Sequence, residues 1–142
     1  MIIFLRHGEA ENNVKKILAG RTPGINLTEQ GKQQAEQAGE MIKSLNISAI
    51  YSSPIDRAMQ TAEIVGKHCD VKPILDDRLI ELDMGKFTMV PYTEIFKNHG
   101  NVFLKFYEGS LEISHNGVES FAQVQKRVFD IVDFVKNKHK GE

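Results

Sequence analysis

Apolar positions follow two different periods along this chain. Ile2 to Leu5 is an unbroken apolar run closed by polar residues, which predicts a short buried strand. Between Thr28 and Leu45, the residues Ala35, Ala38, Ile42 and Leu45 recur at helical spacing, and Thr28 suits the N-cap. Ile47 to Tyr51 predicts a second strand. Ser53, Pro54 and Asp56 then open a second helix: Ser53 as N-cap, Pro54 in the first turn, Asp56 completing a capping box. Its inner stripe is Ile55, Ala58, Met59, Ala62 and Val65. Val71 to Leu75 predicts a third strand. From Pro91 to Gly109 the pattern blurs, and Tyr92, Phe96, Phe103, Phe106 and Tyr107 crowd into one stretch. Past the Asn116-Gly117 turn, Phe121, Val124, Val128, Ile131 and Val135 predict a last helix from Ser120 to Lys138. Strands alternating with helices predict an α/β sheet with helices on its faces. Gly141 reads as a helix stop ahead of another strand, and none follows.

Composition narrows the functional classes. The chain has 142 residues, enough for one domain. At 41% hydrophobic and 26% charged it has the make-up of a folded domain rather than a disordered one. The net charge of −1 argues against nucleic acid as a partner. A single cysteine, Cys69, excludes an internal disulfide and a cysteine-based zinc site, and reads as a half-buried filler. No apolar run spans a bilayer, and Arg6 and His7 interrupt the apolar start too early for a secretory signal. The expectation is a cytoplasmic protein with no membrane partner.

Two segments carry chemistry. Arg6-His7-Gly8-Glu9 lies at the C-terminal end of the first predicted strand, the edge where open α/β sheets bind ligands. Gly8 beside His7 would let a ligand approach the backbone. Arg57 falls in the first turn of the second helix, where free N–H groups favour an anion and a guanidinium fork matches phosphate oxygens.

Five ordered blocks resemble the histidine phosphatase superfamily, the phosphoglycerate-mutase-like proteins. They are Arg6-His7-Gly8-Glu9 with Asn13; Gly20-Arg21-Thr22 with Leu27 to Gly31, Gln34 and Ala35; Tyr51 to Ala62; Leu79, Glu81, Gly85 and Phe87; and Gly117 to Phe121. The resemblance runs from residue 2 to about residue 135. It implies a single three-layer α/β/α domain over 1–142, its sheet mostly parallel, with 88–116 as a helical cap. It also implies that His7 is a nucleophile forming a phosphohistidine, with one ring nitrogen bare and the other donating to a fixed acceptor. Arg6 and Arg57 would clamp the phosphoryl oxygens, and Asn13 would add a hydrogen bond. Glu81 aligns with the general acid. Gly8, Gly20 and Arg21 would line the substrate pocket.

The family pattern breaks at its end. Its second pocket histidine lies on a strand beyond the last helix seen here, so the C-terminal strand region is expected to be absent. Either this chain is a fragment or it is a reduced member, with a homodimer exchanging elements as one way to complete it. His115 precedes the helix-opening loop and reads as a surface residue, and His68, His99 and His139 read as solvated. The family contains phosphatases and mutases. Mutases resemble one another in a tyrosine three residues after the acid, where this chain has Met84, and in an arginine pair missing between Gly85 and Glu119. These features favour a phosphomonoester phosphatase acting on a small phosphorylated metabolite. The alternatives are a phosphoglycerate mutase and a phospho-ligand-binding domain without turnover. Hydrolysis implies no metal and no cofactor; a mutase would take 2,3-bisphosphoglycerate as primer.

Overall fold

Capped, amphipathic segments form helices, and their order places the residues of interest. The computed structural model describes residues 1–107 and 117–141, with side chains outside 102–107. Five α-helices are described: α1, Glu11–Lys15; α2, Glu29–Ile42; α3, Asp56–Cys69; α4, Tyr92–Tyr107; and α5, Phe121–Lys138. Two strands, β1 (Ile50–Ser52) and β2 (Pro73–Leu75), pair in parallel with Tyr51 opposite Ile74. Parallel strands need a crossover, and α3 supplies it and packs on both. This is an α/β arrangement.

One cap acts as the sequence predicts: the Thr28 hydroxyl accepts from the Gly31 amide at the start of α2. At the predicted start of α5, Ser120 is the cap and exchanges hydrogen bonds with Gln123, a complete capping box that is not among the predicted ones. The cap predicted at Ser53 does not form. The Ile55 backbone caps α3, and the Asp56 carboxylate accepts from the Gly24 amide instead of closing a box with Ser53. The buried face of α3 is also rotated from the expected stripe. Arg57 and Thr61 are inside with Ala62 and Val65, while Ala58 and Met59 are half-buried.

The first expected strand is not formed. Ile2 to Leu5 takes no regular structure and is exposed, Phe4 at 74%. A strand exists only through a neighbour's hydrogen bonds, and among the described residues none pairs with this run. The sheet therefore has two strands among the described residues, where the pattern predicts three. The stripe of α5 is correspondingly shallow: Ile131 is buried, and Phe121, Val124, Val128 and Val135 are half-buried.

The main core lies elsewhere. Leu18, Met84, Phe87, Ile95 and Val118 pack together, flanked by Tyr92 and Phe121. The expected cap segment therefore enters the core through Ile95 of α4, a helix kinked at His99. His115 and the 108–116 end of that segment lie outside the described residues.

Candidate active site

The turn that carries His7 is pinned by close backbone packing. Gly8 approaches Gly31 of α2 so closely that a Cβ on either would overlap the other strand of backbone: Gly8 would meet the Gly31 carbonyl, and Gly31 the Glu9 carbonyl. The smallness of Gly8 thus serves this contact. The Gly8 amide donates to the Thr61 hydroxyl (3.1 Å), which donates to the Arg57 carbonyl (2.8 Å). One buried hydroxyl therefore ties the His7 turn to the first turns of α3.

This fixes the imidazole. His7 Nδ1 lies 2.7 Å from the Gly8 carbonyl, and an acceptor there requires a proton on Nδ1. Nε2 is then the bare nitrogen of a neutral ring, and the Arg57 Nε–H donates to it at 3.3 Å. Burial lowers the His7 pKa; the Gly8 carbonyl raises it; Arg57 and Arg6 lower it and Glu81 raises it, with the net direction downward. A neutral imidazole at neutral pH follows.

Arg57 is 2% exposed. Its Nη2 donates to the Gly20 carbonyl at 2.9 Å and meets Glu81 Oε2 at 3.5 Å. Its Nη1 has no acceptor among the described residues. A buried guanidinium N–H without an acceptor is costly, so an anionic oxygen there would be favoured. Arg6, His7, Gly8, Glu9, Asn13 and Gln34 line a surface hollow of about 370 Å³. The Asn13 Oδ1 accepts from the Ala10 amide, and the Gln34 Oε1 accepts from the Glu9 amide.

The remaining expected site residues are near but placed differently. Gly20 holds Arg57 through its carbonyl in a positive-φ turn (φ 51°). The Arg21 Nε–H donates to the Glu81 carbonyl at 2.7 Å. Neither lines the hollow. Thr61 and Gln34 are contributors that the chemistry of the sequence did not single out. Thr61 stands one turn after Arg57, a spacing that places it on the same helix face.

No other described histidine joins His7. His68 is bound to Glu36 (2.5 Å) and Glu40, His99 stacks edge-on to Phe87, and His139 meets the Tyr51 hydroxyl (3.0 Å). These contacts correct the expectation that all three are solvated. Cys69 is free and partly buried. Among the described residues, no group of three or more His, Cys, Asp or Glu is placed to hold a metal. Nor is any described helix long and apolar enough to cross a membrane.

A neutral histidine with one bare nitrogen thus stands beside a buried arginine, with a carboxylate next to that arginine, in an α/β chain. The chain belongs to the histidine phosphatase superfamily (branch 1), whose family model matches residues 2–142. It is 30% identical over 141 residues to phosphoserine phosphatase 1 of Hydrogenobacter thermophilus, 97% of this chain and 65% of that protein. It is 44% identical over 84 residues to the 2,3-bisphosphoglycerate-dependent phosphoglycerate mutase of Thermoplasma acidophilum, 59% of this chain and 42% of that one. A solved mycobacterial glucosyl-3-phosphoglycerate phosphatase, complexed with VO3, superposes with a TM-score of 0.89 at 27% identity. That match covers 95% of this chain and 64% of the other. The chain therefore spans about two fifths to two thirds of the length of these relatives.

Proposed function

We propose that this chain carries the nucleophilic half of a phosphomonoester phosphatase that works through a phosphohistidine on His7. The observation that carries the reading is the fixed tautomer: Nδ1–H held by the Gly8 carbonyl, Nε2 bare beside Arg57. A bound phosphoryl group takes the Arg57 donors for its own oxygens and frees the Nε2 lone pair. That lone pair forms the N–P bond as the P–O bond to the leaving group breaks. Glu81, beside Arg57, delivers a proton to the departing oxygen. Water then attacks phosphorus, Glu81 takes its proton, the N–P bond breaks, and phosphate leaves. Arg57 and Arg6 offset the charge on the equatorial oxygens throughout.

Hydrolysis is favoured over mutase chemistry by Met84. The position at which mutases resemble one another carries a core residue here, 4% exposed. The resulting substrate is a small phosphorylated metabolite. A binding domain without turnover is the second reading, because the described histidines other than His7 are engaged elsewhere. The test is turnover of p-nitrophenyl phosphate with alkaline denaturing quench to trap the phosphoenzyme. An acid-labile, base-stable phosphoenzyme is expected in the parent and absent in His7→Ala, with activity down by roughly 10³-fold or more. Vanadate binding without turnover would favour the second reading.

A further inference from the structure

Glu119, in the loop before α5, takes no part in the chemistry above, yet it is the most heavily bonded carboxylate near the site. Its Oε2 accepts from Arg21 Nη2 (3.0 Å), Arg127 Nη2 (3.0 Å) and the Asp83 amide (3.2 Å). Its Oε1 accepts from Arg127 Nε at 2.9 Å, and its own amide donates to the Asp83 carbonyl at 2.8 Å. The side chain is 13% exposed. Burial alone would raise its pKa. The Arg127 and Asp83 hydrogen bonds and the charges of Arg127 and Arg21 outweigh that, so it is held below the ordinary carboxylate value.

All of these partners converge on one loop. Arg127 Nη1 donates to the Arg78 carbonyl at 2.8 Å. Arg21 Nε donates to the Glu81 carbonyl, and its Nη1 faces the Asp83 carboxylate at 3.6 Å. The backbone of 78–83 is thus gripped at its start, middle and end, and Glu119 joins the two arginines that grip it. The Glu81 side chain is itself 42% exposed. Its carboxylate is held by the Leu82 amide (2.8 Å) and Arg57 (3.5 Å), so its aim depends on where that backbone lies.

We propose that Glu119 is a positioning residue for Glu81: by joining Arg21 and Arg127 it fixes the 78–83 backbone from which Glu81 reaches the leaving-group oxygen. The inference rests on the phosphatase reading for its kinetic part. Proton delivery matters most for a poor leaving group, so the readout is a ratio between substrates. Glu119→Gln is expected to lower kcat/KM, which reports leaving-group departure and not the hydrolysis step common to both substrates, by roughly ten- to a hundredfold for propyl phosphate and by less than about threefold for p-nitrophenyl phosphate. In a Glu81→Gln background it should add little further loss. Equal losses on both substrates, or additive losses in the double variant, would overturn the proposal. Where Glu119→Gln does not fold, Arg21→Lys is read in the same way, since it keeps the charge and removes the fork. A parent without any phosphomonoester turnover sinks the proposed function alone. The positioning role is then decided by hydrogen exchange at the Leu82 amide, which reports the Glu81 carboxylate directly. Faster exchange in Glu119→Gln upholds it, and unchanged exchange rejects it.

Discussion

The imidazole of His7 is part-buried beside two guanidinium groups, and all three conditions disfavour a proton on it. Its folded-state pKa therefore lies below the ordinary 6.5. In the proposed chemistry only the neutral ring attacks, so kcat/KM is expected to rise from acid pH to a plateau with a midpoint below 6.5. Arg57→Met removes one of the lowering charges, so that midpoint should move up. The same change should lower kcat/KM by about 10²–10³-fold. A pH–rate profile on p-nitrophenyl phosphate checks both; a parent midpoint above 6.5 would contradict the assignment. Stability follows with a definite sign. As pH falls below 6.5 the unfolded chain takes up this proton before the folded one, so stability is lost on the acid side and is complete above it. His7→Asn should flatten that acid-side loss in urea midpoints compared between pH 5 and pH 8. These residues were legible because reactive types stand at predicted element ends. Thr61 was not, since a hydroxyl inside a helix announces nothing until the turn it ties down is known.

Between elements, backbone contact governs more than side-chain volume. The α2 face toward α3 is Gly31, Ala35 and Gly39, small residues at successive turns, which lets the helices and the His7 turn approach closely. Gly31→Ala would drive a methyl into the Glu9 carbonyl, which cannot yield without moving Gly8. It is expected to cost more than about 2 kcal/mol and to lower activity with it. Gly39→Ala meets the His68 side chain (Cδ2, Cγ and Cβ nearest) rather than backbone, and should cost less. Equal losses in thermal unfolding of the two variants would remove the argument. At the other end, Ser120→Ala deletes the side-chain half of a capping box, the hydroxyl that accepts from the Gln123 amide, and should cost about 1 kcal/mol. The Thr28 cap was legible because a cap is local chemistry, decided within four residues. The start of α3 was not: Asp56 finds a better donor in Gly24, distant in sequence, and a local rule has no access to it.

Across the whole molecule, helices and strands stand unequally. A helix closes its hydrogen bonds within its own segment, so the patterns of α2, α3 and α5 sufficed to find them. A strand needs a neighbour, and an apolar run such as Ile2 to Leu5 states a preference without supplying the partner. The core accordingly gathers around Ile95, at 0% exposure, inside a stretch whose sequence pattern is blurred. Its burial comes from residues far apart in the chain, Leu18, Met84 and Val118, which no short window contains. Two substitutions separate these regions. Ile95→Ala should cost about 2–5 kcal/mol, because it opens a cavity among fixed neighbours. Phe4→Ser should cost less than about 0.5 kcal/mol, because its ring already faces solvent. Urea unfolding of the 142-residue chain at two protein concentrations is the measurement. A multi-kcal/mol loss at Phe4 that grows with concentration would mean that the 1–5 segment is buried between molecules in solution. A loss independent of concentration would mean that it folds back onto its own chain.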